Sequence, residues 1–451
     1  MNFEHLDSPT NGKKLQRFQR RVAFVSAGGT FLDGFDLTII AVAMPLILKS
    51  WDIGAGMQSL IVASAIVGSF IGASLLGNLT DRFGRKAMYI VDLLAFVLFA
   101  ALSAFATNAW ALVIFRFLLG VGIGADYPIS ATLVSEFSST KSRGKSGTFL
   151  GMMWFVGAVV AYITGMLMLP LGDVAWRYMM LAGAIFAIII FIFRLGLPES
   201  PRWLVSKGRE KEAEQIMYEL TGRKSVIQPG SEKKYPLRYL FSSTLFKRTF
   251  FVCGFWFCYA IAYYGISMYT PTLLSAFTKG SLSETYIASS VVSILGLIGA
   301  LIGSNLVDNW GRRPLIITSF SGLTAGLVLL ALNANPTLLF LVILFSAAVL
   351  FANMGGGILN FVYPTELFPT SIRAGAAGFA TSVSRIGSIL GTLVFPNFVA
   401  LWGNSAALWF FAAVGFCGLI ISIALAPETK GKRLEDINNY GKGVVVKWKN
   451  G

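Results

Sequence analysis

The chain has one histidine, His5, and three cysteines among 451 residues. With its only imidazole in a polar leading segment, it can assemble neither a Ser/His/Asp or Cys/His nucleophile nor a His-ligated metal centre. Cys253, Cys258 and Cys417 fall in apolar stretches without metal-ligand spacing or an obvious disulfide partner, and read as packing residues. Charge is also scarce, at 13% of residues, and unequal, with 22 Asp and Glu against 37 Lys and Arg. No ATP-binding segment is present. The glycines of Arg116-Phe-Leu-Leu-Gly120-Val-Gly122-Ile-Gly124 lack the strand-turn-helix surroundings of a dinucleotide loop, and small residues at that spacing let membrane helices approach closely. Gly68 with Gly72, and Gly299 with Gly303, are similar packing candidates. Enzymatic chemistry, a cofactor and a bound metal are therefore not expected.

Apolar side chains are abundant instead, at 55% of residues. Their runs exceed the roughly 18 residues that cross a bilayer core, so the chain reads as an all-α membrane protein. Charge, Gly and Pro punctuate about twelve helices, at 22–48, 58–80, 87–107, 109–134, 146–169, 176–197, 248–276, 284–307, 314–333, 336–362, 374–401 and 404–426. Six fall in each half. The expected units are a six-helix bundle over 1–197, a polar cytoplasmic linker over 198–247 with a short amphipathic surface helix around Glu210, Lys211, Glu212 and Glu214, and a second bundle with its tail over 248–451.

Lys and Arg sort by side. With the N-terminus inside, inner segments hold 31 of them and outer loops two, Lys49 and Lys279, which predicts cytoplasmic termini and a multi-pass protein of the cell membrane. The net charge of +15 then points to anionic lipid headgroups rather than nucleic acid. Residues 1–21 lack the short apolar core of a cleavable leader, so the first helix is expected to direct insertion.

The two halves restate each other. Asp81-Arg82-Phe83-Gly84-Arg85-Lys86 recurs as Asp308-Asn309-Trp310-Gly311-Arg312-Arg313, displaced by 227 residues. Glu136 with Arg143 recurs as Glu366 with Arg373, displaced by 230, and Pro198-Glu199 as Pro427-Glu428, displaced by 229.

A few ionisable residues fall inside the spans: Asp33 and Asp36 on helix 1, Asp92 on helix 3, Arg116 and Asp126 on helix 4, and Arg385 on helix 11. Each is costly in hydrocarbon and marks an ion or substrate path by default. Asp33 lies twelve residues beyond Arg21, and Arg385 twelve beyond Arg373, so both reach about 18 Å from the inner boundary, near the midplane. Asp33 and Asp36 share one helical face, where two neighbouring carboxylates favour proton uptake by one of them. Arg116, near the outer end of helix 4, could tune that pair or snorkel to the interface. Asp126 sits in Gly124-Ala-Asp126-Tyr127-Pro128, whose proline frees a carbonyl, as backbone lining a cavity often does. Asp92 is nearer the inner surface, where a structural hydrogen bond to a neighbouring helix is expected. The Arg385 guanidinium needs a counter-ion, which can be Asp33, Asp36 or an anionic ligand.

Twelve helices in two halves, with Gly77-Asn-Leu-Thr-Asp81-Arg82-Phe-Gly84-Arg85-Lys86 and its copy, resemble the major facilitator superfamily over essentially the whole chain. Pro198-Glu199-Ser-Pro201-Arg202-Trp203 and Pro427-Glu428-Thr-Lys-Gly resemble the marks of its sugar-porter side. Leu32-Asp33-Gly34-Phe35-Asp36 is similar to the helix 1 motif of aromatic-acid:proton symporters, and Trp256-Phe257, Tyr263-Tyr264-Gly265 and Arg385-Ile-Gly387 are similar to organic-ion and synaptic-vesicle-protein-related transporters. The stretch from Gly124 to Glu136 resembles the helix 4 signature of phosphate:proton symporters, although those usually carry Lys where Arg385 stands.

The resemblance implies two pseudo-symmetric bundles and proton-coupled symport of a small organic anion, with substrate, protons and anionic lipids as the partners of a monomer. Phosphate is the alternative substrate, and a sugar or a transporter-like receptor ranks below both. In this reading Asp36 carries the proton, with Asp33, Arg116 and Asp126 assisting. Arg385 engages the substrate's negative group, with aromatic walls from Phe35, Tyr127, Trp154, Trp256, Tyr263 and Tyr264. Asp81, Arg85, Glu136 and Arg143, with Asp308, Arg312, Glu366 and Arg373, are expected to form inner-side salt-bridge gates that hold the outward-facing state.

Overall fold

A computed structural model describes residues 12–137, 143–222, 237–275, 278, 281–333 and 336–431. The first half contains α1 (Gly12–Ser50), α2 (Ala55–Phe83), α3 (Arg85–Ala104), α4 (Ala109–Phe137), α5 (Arg143–Met168) and α6 (Ala175–Arg194). Two short helices follow, α7 (Pro201–Ser206) and α8 (Glu210–Thr221). The second half contains α9 (Phe246–Ser267), extended by α10 (Thr270–Ser275), then α11 (Leu282–Asn309), α12 (Arg312–Leu332), α13 (Leu338–Leu367) and α14 (Thr370–Leu425).

Length shows how these helices make twelve spans. At 1.5 Å per residue, the 56 residues of α14 would reach about 84 Å, more than twice the hydrocarbon thickness. They do not run straight. Gly403 has a φ of 82°, outside the helical region, and divides α14 into an eleventh and a twelfth span. Gly172, with a φ of 71°, makes the corresponding turn between α5 and α6. The glycine stripes expected to pack do so: a Cβ on Gly68 would strike the carbonyl of Phe117, and one on Gly299 that of Leu350.

Helix α8 is amphipathic and lies on the surface, as its charge pattern predicts. Ala213, Met217 and Leu220 are buried, and Met217 joins Leu15, Val22 and Phe137 in one apolar cluster beneath the first bundle. Its outer face carries the Arg209–Glu212 pair, at 2.6 Å and half-exposed. Such a pair contributes little to stability.

The repeated Pro-Glu steps have a definite task. Helices α3 and α12 each begin after a glycine of positive φ, Gly84 and Gly311, and neither helix has a side-chain cap from its N-cap residue. The exposed N–H groups at such an end carry partial positive charge and need acceptors. Glu199 accepts from the N–H groups of Arg85 and Lys86, both at 3.1 Å, and Glu428 accepts from those of Arg312 at 3.1 Å and Arg313 at 3.0 Å. Each half thus uses the carboxylate after its sixth span to cap its third.

Partial burial pushes the Glu428 carboxyl up, but the N–H groups of Lys430, Arg312, Arg313 and Thr429 outweigh this and hold it below the ordinary range. A depressed carboxyl contributes stability above its unfolded-state value and loses it as pH falls through the folded one. Glu428→Gln is therefore expected to cost about 1–2 kcal/mol near neutrality and less in acid. Thermal melting of the detergent-solubilised protein against pH measures this; equal losses at all pH values would contradict the capping account.

Candidate functional site

The site is built around the crossing of α1 and α5. A Cβ on Gly34 would collide with the backbone carbonyl of Trp154, and one on Gly157 with that of Phe31, so only small residues permit this approach. The crossing brings Asp33 and Trp154 into the lining of one central cavity. Its lining combines α1 and α5 with α9, α13 and the first part of α14, and includes Thr30, Asp33, Trp154, Tyr264, Asn360 and Arg385.

Asp33 and Arg385 meet across the two bundles. Arg385 Nη2 lies 3.6 Å from Asp33 Oδ2, while Asp33 Oδ1 is buried without a hydrogen-bond partner. The pair is loose and faces the cavity, so an anion entering there can compete for the guanidinium.

Asp36 is paired differently. Arg116 donates from Nη1 to Asp36 Oδ1 at 3.2 Å and from Nη2 to Oδ2 at 2.9 Å, with a further bond from Nη2 to the Asp36 carbonyl at 3.2 Å. Both side chains are buried, at 0% and 4% exposure, which rules out snorkelling for Arg116. Desolvating a guanidinium and a carboxylate is tolerable only in such a bidentate arrangement. From Arg21, Asp36 is about 22 Å along helix 1. It is therefore displaced outward from the Asp33–Arg385 level.

Asp126 belongs to a third cluster. Its Oδ1 lies 2.6 Å from Arg194 Nη2, and the same guanidinium reaches Asp92 Oδ1 at 3.4 Å. Asp92 thus has a charged partner on α6, stronger than the hydrogen bond expected for it. Arg194 escapes a reading of the sequence because it ends an apolar run, where an arginine ordinarily marks the inner surface; here it is wholly buried.

Aromatic rings wall the cavity. Trp154 packs edge-on to Tyr263 and Tyr264, with centroids 5.9 and 6.1 Å apart, and Tyr263 stacks on Tyr259 at 5.3 Å. Trp256 also lines it. Phe35 does not: it is fully buried inside the first bundle against Phe186, at 5.1 Å, which corrects its placement among the walls. The side chain of Tyr127 lies outside the described residues. Phe155, Tyr259, Asn360 and Phe361 are further lining residues that no sequence signal separates from ordinary helix packing.

The outer ends of the bundles are closed. Tyr286 Oη donates to the Val42 carbonyl at 2.6 Å, and Asn397 Nδ2 approaches Ser59 Oγ at 3.5 Å, each pair joining one half to the other. From the midplane, the cavity lining continues inward through Thr30, Leu150 and Thr381. The cavity thus lies open toward the side on which α1 and α5 begin.

The inner charges of the second half form a cluster within that half. Arg312 Nη2 donates to Glu366 Oε1 at 2.7 Å, Arg312 Nη1 lies 3.1 Å from Asp308 Oδ1, and Thr429 donates to Glu366 Oε2 at 2.5 Å. Arg373 turns to the Phe368 carbonyl, 3.2 Å from its Nε. In the first half the N–H of Arg85 is held by Glu199, and the side chains of Asp81, Glu136 and Arg143 lie outside the described residues.

Two six-helix bundles around a midplane cavity closed on one side define a major facilitator transporter, not an enzyme. The chain belongs to the sugar (and other) transporter family, whose model matches residues 22–440. The YaaU protein of Escherichia coli is 35% identical, over 94% of this chain and 96% of its own length. A niacin transporter of Acinetobacter baylyi, NiaP, is 29% identical, over 93% of this chain and 97% of its own. The fold is similar to that of the xylose transporter XylE from E. coli in a partially occluded inward-open conformation, with a TM-score of 0.77, 21% identity, and coverage of 92% of this chain and 100% of that one.

Removing one member of the buried Asp36–Arg116 pair leaves an uncompensated charge. Arg116→Gln is expected to destabilise the protein by about 3–5 kcal/mol. Adding Asp36→Asn should recover most of that loss, measured as a double-mutant cycle of melting in detergent; additive losses would show that the two side chains act separately.

Proposed function

We propose that the chain is a proton-coupled symporter of a small organic anion bearing a carboxylate and an apolar or aromatic body. The observation that carries this reading is the cross-bundle Asp33–Arg385 pair, 3.6 Å apart at an aromatic-walled cavity. A substrate carboxylate takes the Arg385 guanidinium by charge-assisted hydrogen bonds, while Trp154, Trp256 and Tyr264 cover its body. Asp33, deprived of its counter-ion, is then better satisfied neutral than charged.

Asp36 supplies the proton link. It stands three residues from Asp33 and is sealed against Arg116 with the outer side closed, the arrangement of a carboxylate that has released its proton. Reprotonation from the outside would free Arg116 and loosen the first bundle's hold on helix 1. Rocking of one bundle against the other alternates access to the midplane. A niacin transporter among the relatives is in keeping with this chemistry, since niacin is an aromatic carboxylic acid. One guanidinium in an aromatic cavity suits a monoanion with an apolar body better than phosphate, which calls for many polar partners.

Uptake into proteoliposomes tests the reading. Aromatic and aliphatic monocarboxylates are expected to accumulate only with an inward proton gradient, and Asp36→Asn combined with Arg116→Gln, which keeps the buried charges balanced, to abolish accumulation while leaving exchange of substrate across the membrane. Arg385→Gln should weaken apparent affinity by about 2 kcal/mol or more, roughly 30-fold. Gradient-independent accumulation would refute proton coupling; phosphate uptake indifferent to organic acids would refute the substrate class.

A further inference from the structure

The cluster of Asp92, Asp126 and Arg194 has no part in the cycle just described, and its charges do not balance. Two carboxylates face one guanidinium, with side-chain exposures of 2%, 10% and 0%. Among the described residues, the elements packed around them bring no second cation. Helix α1 presents Gly29, where a Cβ would coincide with the Asp126 carboxylate; its next acid, Asp33, already faces Arg385. Helix α3 adds Tyr89, whose ring lies 3.5 Å under the Arg194 guanidinium and whose hydroxyl meets Ser130 Oγ at 2.8 Å. On α4, the other charge within the membrane is Arg116, bound to Asp36. An uncompensated negative charge in this setting costs several kcal/mol.

We propose that Asp92, Asp126 and Arg194 form a proton-binding site that holds one resident proton between the two carboxylates. The geometry divides their roles. Asp126, at 2.6 Å, is the closer partner of the guanidinium. Asp92 stands farther from the guanidinium, at 3.4 and 3.5 Å, and is the more deeply buried of the two, so it is the residue to carry the proton; the N–H of Leu93 occupies its Oδ1 at 2.6 Å, which leaves Oδ2 for the proton. A second observation supports the site: a small cavity beside it is lined by Asp92 and Asp126 together with Gly29, Leu32, Phe96 and Gly122, giving both carboxyls room to face one another.

The proton is resident rather than transported. All three residues belong to α3, α4 and α6 of one bundle, which moves as a unit when the halves rock, and none of them lines the central cavity. Their surroundings therefore remain the same on both sides of the cycle. The proposal is independent of the substrate and of proton-coupled uptake.

Infrared spectroscopy of the full chain in lipid at neutral pH tests it, through the carbonyl stretch of a protonated carboxylic acid. The wild type is expected to show this band, and both Asp92→Asn and Asp126→Asn to lose it, because the single remaining carboxylate then balances Arg194. Asp92→Glu keeps the carboxyl and should shift the band in frequency, which serves if the Asn variants do not fold. Absence of the band from the wild type, or its persistence unchanged in the Asp92 variants, would overturn the site. A band that bleaches and recovers as a proton gradient is imposed and collapsed would overturn residence.

Discussion

A guanidinium does not give up its proton in hydrocarbon, so every arginine carried into the membrane dictates the position of an acid. Three such side chains organise this protein: Arg116 with Asp36, Arg194 with Asp126 and Asp92, and Arg385 with Asp33. They differ in how firmly the acid is held. The first is bidentate and sealed, the second over-supplied with carboxylate, the third long and open to the cavity. Only the third joins the two bundles, which makes it the pair whose partner can be exchanged as the halves move.

The internal repeat governs the frame and leaves the chemistry to one side. Asp-x-x-Gly-Arg and Pro-Glu recur because each half solves the same problem, the uncapped N-terminus of its third span, in the same way. The charged residues within the membrane are not repeated. They crowd into the first bundle, while the second contributes Arg385 and most of the aromatic wall. On the proposed reading, equal frames carrying unequal side chains let one motion act on two different kinds of cargo, a proton and a small molecule.

Much of this was legible in the sequence, because the bilayer imposes a simple rule on length and polarity. Apolar runs located all twelve spans, and Gly403 and Gly172 fall at turns the runs already implied. Helix rise brought Asp33 and Arg385 to one level, and they meet there. Pairings that depend on rotation about the helix axis were not legible. Arg194 drew no reading at the end of its apolar run, Phe35 was placed among the walls, and the partner of Asp126 was not foreseen, since a one-dimensional reading gives depth without direction. The Pro-Glu repeat was visible as a mark, but its purpose required the fold that brings Glu199 to the start of α3.

That capping arrangement bears on how the chain is made. Glu199 and Glu428 each follow the last span of their own half, yet they complete the start of its third. Until three more spans have been threaded, the leading N–H groups of the third span of either half have only water as an acceptor. Once Glu199 emerges, the first bundle is complete without any residue of the second. Each half thus carries its own finishing signal, and biogenesis can proceed in two closed instalments rather than one long one.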